Sequence, residues 1–122
     1  MSKTLLKAMI ATVAGSLSLL CGVASADCAY PKAPVAIPNG SNASEGEMTA
    51  AAAAFKQYNS DVTAYLACLQ QETAAKSAGV SATQALQIKS LQSKKHKSAV
   101  EDLESNVAKF NAQVRAFKSK KA

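Results

Sequence analysis

Between Glu47 and Ala122 the chain holds a single glycine, Gly79, and no proline. A stretch that long without a breaker satisfies its backbone most readily as helix, and a lone glycine within it is free to take the positive φ that ends one helix. Two matching start signals bracket the region. Ser44 and Glu47 have the spacing of a capping box, and Ser81 and Gln84 repeat it. The pattern predicts one helix over 45–78, a turn at 79–80 and a second helix over 82–119. At 1.5 Å per residue these arms reach about 50 and 57 Å. A connection that tight folds them back on each other, so the expected fold is all-α, a long antiparallel helical hairpin filling a domain over 45–122.

Each arm carries an apolar stripe. On the first, Met48, Ala52, Phe55, Val62, Leu66 and Leu69 recur at three- and four-residue steps, with Asn59 as a polar interruption. On the second, Val100, Leu103, Val107, Phe110, Val114 and Phe117 step as in a coiled-coil seam. The earlier residues Leu86, Ile88 and Leu91 do not continue that stripe. Ile88 and Val100 are twelve residues apart, which leaves their faces about 120° apart. The mismatch falls across "SKKHKS", 93–98, where the helix either bends or turns its two halves to different neighbours. With no breaker there, one long helix with a phase shift is expected.

Upstream the character is different. Residues 27–44 carry Pro31, Pro34 and Pro38 and the turn pair Asn39-Gly40. Proline removes backbone donors and favours extended structure, so this segment reads as an N-terminal arm. Before it, residues 1–26 have the parts of a signal peptide: Lys3 and Lys7, an apolar run from Ala8 to Leu20, and "VASA". Cleavage is expected between Ala26 and Asp27, and the apolar run, about 13 residues, is too short to span a bilayer. The mature chain is thus expected in the periplasm or secreted, with no transmembrane span. Lipidation is disfavoured, because Leu20 precedes Cys21 and Asp27 precedes Cys28.

Removing the leader takes Cys21 with it and leaves Cys28 and Cys68. Tryptophan is absent and other aromatics are few, so the core is thin, and small exported domains of this kind usually carry a covalent staple. Two cysteines in an exported chain most often form one disulfide. Cys68 lies about 35 Å along the first helix, and the arm reaches about 50 Å when extended, so Cys28 can return to it. Cys68 shares a ridge with Tyr58 and Tyr65, expected to form a platform for Tyr30, Pro31, Pro34, Val35 and Ile37.

The charge is uneven. Residues 27–80 hold three basic and five acidic residues, and 81–122 hold nine and three. The basic clusters are Lys94, Lys95 and Lys97, and then Arg115, Lys118, Lys120 and Lys121. They suit polyanions such as lipopolysaccharide or anionic lipid, or else a solvated helix face with its last lysines at the negative end of the macrodipole. No aromatics interleave "KKHK" to stack bases, so no nucleic acid is expected. Catalysis finds no footing. His96 sits among lysines, Glu101, Asp102 and Glu104 do not share one face, and there is no glycine-rich phosphate loop or nucleophile elbow. No cofactor or metal is expected.

Three motifs together resemble small exported proteins of proteobacteria with a Cys/Pro-rich mature N-terminus. They are the C-x-x-P of 28–31, "IPNGSNAS-x-G-E-M" over 37–48 and "YLACLQQE" over 65–72. The resemblance covers about residues 28–72 and brings no activity with it; it implies that the two cysteines belong to one N-terminal module. The expected function is a non-enzymatic periplasmic interaction or structural protein, acting on an unknown envelope protein or by self-association. The alternative is binding of an envelope polyanion through the basic second helix.

Overall fold

The computed structural model describes residues 27–121. Two α-helices account for most of them, α1 (Glu45–Ser77) and α2 (Ala82–Lys121), and no strand occurs among the described residues. They run antiparallel. Lys121 pairs with Glu45 at the open end, Phe55 stacks on Phe110 midway, and Lys95 meets Glu72 toward the turn. The expected leader over 1–26, with Ala26 of the expected cleavage site, lies outside the described residues.

Both capping boxes form. The Ser44 hydroxyl accepts from the Glu47 amide at 3.2 Å, and the Ser44 amide donates to the Glu47 carboxylate at 2.6 Å. Ser81 and Gln84 exchange the same bonds at 3.2 and 3.1 Å. Each box satisfies two orphan amides. Gly79 takes φ 73°, the left-handed turn that separates the helices. α1 ends one residue earlier than expected, and α2 continues as unbroken helix through 93–98 to Lys121.

The buried line of α1 is Met48, Ala51, Phe55, Tyr58, Val62, Tyr65 and Leu69, an alternation of three and four with no gap. This corrects the expected stripe. Ala52 is exposed, Leu66 is half-buried, and the interruption at Asn59 vanishes because Tyr58 fills that turn. Tyr58 and Tyr65 are only 3% and 6% exposed, so they belong to the main seam and not to a separate ridge. Their rings supply apolar body while the hydroxyl needs only a nearby outlet.

On α2, Ala99 and Phe110 are buried, and Leu103, Val107, Val114 and Phe117 pack against them. Ala99 explains the phase shift. Ile88 lies eleven residues before it, a spacing that brings the two within about 20° of one line. The inner positions 92, 95 and 99 then continue to 103, 106 and 110, with one extra step of four between 99 and 103. This stutter realigns the seam without breaking the helix. The arm completes the fold. Ala33 and Ile37 pack on the core, Ala43 is buried, and the Asn39 carbonyl accepts from the amides of Asn42 and Ala43 to make the turn into α1.

Candidate interaction surface

One flank of the helical seam is closed by the arm. Cys28 and Cys68 are joined, with Cα atoms 5.9 Å apart. Asp27 pairs with Lys76 at 3.3 Å, and the Tyr30 ring meets Tyr65 edge to face at 5.3 Å. The sequence places this docking on α1 alone; the structure extends it to α2. The Tyr30 hydroxyl donates to Asp102 at 2.6 Å, the Gly40 amide donates to the Gln113 side chain at 2.9 Å, and Lys120 donates to the Ala43 carbonyl at 2.6 Å. The arm therefore clasps both helices. Pro31, Pro34 and Ile37 are half-buried as expected, but Val35 is wholly exposed and takes no part. The meeting of Gly40 with Gln113 leaves no mark in the sequence; a glycine after asparagine reads as a turn, and nothing local reveals what passes behind it.

Partial burial, followed by the bond to Asp102, holds the Tyr30 phenol well above its ordinary value of 10.0. Burial also raises Tyr58 and Tyr65, helped by the charges of Asp102 and Glu72 respectively. Groups raised on folding give stability that is complete below their unfolded pKa and is lost as pH climbs through the folded one. We therefore expect stability to fall above about pH 10. Tyr30→Phe will cost about 1 kcal/mol at pH 8 and will show a smaller further loss at pH 11, read from urea midpoints at the two pH values.

Toward the turn, Glu72 is little exposed and its Oε1 serves both Lys76 and Lys95. The bond from Lys76 comes first in holding its carboxyl below the ordinary range. Several of the basic residues are likewise committed within the fold. Lys95 lies 3.8 Å from Glu72, Lys97 3.7 Å from Glu101 and Lys121 3.1 Å from Glu45. Lys120 holds Ala43, and both Lys120 and Lys121 cover the Phe117 ring at 4.8 and 5.0 Å. Lys94, Arg115 and Lys118 are exposed and have no ion-pair partner among the described residues. "KKHK" does not converge, since Lys95 turns inward while Lys94, His96 and Lys97 stay outside. Among the described residues no group of His, Cys, Asp or Glu is placed to hold a metal ion, and no helix is long and apolar enough to cross a membrane.

The other flank of the seam has no arm over it. The arm meets α1 along Asp61, Ala64, Tyr65 and Cys68, and α2 along Asp102, Lys109 and Gln113. Across the seam from these lie Ala52 and Leu66 on α1, with Val100, Val107 and Val114 on α2. They are half-buried or exposed. They are stripe residues that stand one position beyond Ala51, Tyr65, Ala99, Asn106 and Gln113 on the inner line. At the open end this flank holds a shallow depression floored by Met48, Ala52, Val114 and Phe117.

No family model, curated protein or solved structure matches the chain.

Proposed function

We propose that the chain is a non-enzymatic interaction protein of the bacterial envelope, exported to the periplasm, that presents the arm-free flank of its hairpin to another envelope protein. The observation that carries this reading is the asymmetry of the seam. One flank is closed by a stapled arm, while the half-buried Leu66, Val100, Val107 and Val114 line the other, uncovered by the arm among the described residues. An apolar strip with few charges at its centre is the composition of an interface core. The leader and the disulfide support export, since such bonds persist in oxidising compartments. A binding role is favoured over catalysis because both mature cysteines are joined to each other and the only histidine, His96, stands exposed among lysines. Polyanion binding through α2 draws on Lys94, Arg115 and Lys118, three exposed cations without an ion pair among the described residues.

The test is a photo-crosslinking residue placed at Val107, in the full chain, in cells that export it. A discrete adduct is expected at Val107 and none at Lys94 on the outer face; an adduct of twice the mass identifies a second copy as the partner. Val107→Glu, with helical content and melting retained, will abolish capture. A smear at both positions, or no adduct at either, removes the reading.

A further inference from the structure

The depression at the open end combines an apolar floor with a charged rim. Met48, Ala52, Val114 and Phe117 make the floor, and Lys118 and Lys121 stand at the rim with Thr49 and the carboxylate of Glu45. Lys118 is exposed and has no ion-pair partner among the described residues. Lys121 pairs with Glu45, but both side chains are more than half exposed, and a pair of that kind yields readily. The other acidic residue nearby, Glu47, is turned to its own cap. Positive charge is thus concentrated at this end: residues 115–121 hold Arg115, Lys118, Lys120 and Lys121 and no acid.

Beyond the depression the flank is mainly apolar, with the exposed Asn59 as its one polar step between Ala52 and Leu66. Leu66, Leu103 and Val107 continue the floor along the arm-free flank, half-buried against the core. Cations at one end and an apolar track leading away have the polarity of one kind of ligand, an acyl chain with an anionic head. A second copy of the chain fits less well, because it brings the same lysines and its own net positive charge. A polyanion without a tail leaves the floor in water.

We infer that this depression binds a single-chain anionic amphiphile from solution. The carboxylate or phosphate head lies at Lys118 and Lys121, and the tail lies over Ala52, Val114 and Phe117. The inference rests on the proposed function only in taking the arm-free flank as a binding face.

The probes are dodecanoate and dodecyl phosphate, each kept below its micelle concentration and titrated into the full oxidised chain while backbone and methyl resonances are followed. Saturable shifts centred on Ala52, Val114 and Phe117 are expected. Lys118→Glu will weaken binding about fivefold, the equivalent of one exposed charge contact. Ala52→Leu, which fills the floor from an exposed position, will weaken it about tenfold, with helical content and melting unchanged. Three results overturn the inference: equal affinity for neutral dodecyl maltoside, indifference to Lys118→Glu, or binding confined to phosphatidylglycerol vesicles with none to the dissolved probes. A discrete crosslink at Val107 without dodecanoate binding removes the amphiphile and leaves the protein partner; dodecanoate binding without a crosslink does the reverse.

Discussion

Replacing Cys28 and Cys68 together by serine will lower the stability of the chain by about 4 kcal/mol. The bond closes a sequence separation of 40 residues, and in the chain-entropy account a loop of that length restricts the unfolded state by about this amount. The folded side offers little reserve. Its buried apolar set is short, and three of its members are the alanines Ala43, Ala51 and Ala99. For a domain of this size each kcal/mol moves the midpoint by about 4–8 °C, so a fall of about 20 °C or more is expected. Melting curves followed by circular dichroism check it. The parent chain under reductant should drop to the variant's midpoint, and the variant should ignore reductant. A parent insensitive to reduction would show that the arm's other contacts hold without the staple.

Gly40→Ala will cost about 3 kcal/mol although the change adds one methyl group. The backbone at Gly40 is not in the left-handed region, so the reason is space alone. A Cβ there would lie 1.9 Å from the Gln113 carbonyl oxygen and 2.9 Å from the Phe117 amide nitrogen. Those are backbone atoms of α2, fixed by the helix, so the arm must lift away. Lifting it gives up the bond from the Gly40 amide to Gln113 and loosens the seat of Ala43. Urea unfolding measures the loss, and amide exchange over 37–43 should accelerate well before global unfolding. Gly46→Ala is the control. A Cβ at Gly46 meets nothing closer than 3.9 Å, and an alanine in that first helical turn will leave stability level or slightly raised.

The hairpin was legible because its signals are local. Two capping boxes and one glycine in a long breaker-free run each act within a few residues of where they stand. The disulfide was legible for a different reason: from residue 27 onward the sequence holds two cysteines, which have only each other. The pattern found much of the inner line, Met48, Phe55, Val62, Leu69 and Phe110, and misplaced part of it. The stripes pass over Tyr58 and Tyr65, take Ala52 for Ala51, and take Val100 where the small Ala99 sits at the contact. Alanine carries almost no hydropathic signal, yet it is the residue that lets two helices approach. Arm contacts on α2 were out of reach altogether. Tyr30 to Asp102 and Gly40 to Gln113 span 72 and 73 residues, and no periodicity connects positions so far apart. Where the stripes leave the inner line, at Ala52, Leu66, Val100, Val107 and Val114, they mark the flank that the arm leaves uncovered.

The clasp also sets an order of events. As the chain emerges from its N-terminus, Cys28, Tyr65, Cys68 and Lys76 are all present before α2 has been delivered. The staple and the Asp27–Lys76 pair can therefore form on α1 alone, drawing the arm along it. The contacts to Asp102, Gln113 and Lys120 must wait, because they lie in the last part of the chain to arrive. An arm already tethered holds Tyr30 and Gly40 close to where α2 will settle, which shortens the search that such distant pairings otherwise require. The bond that stabilises the finished molecule thus also acts as a template, and α2 closes onto a half-built clasp.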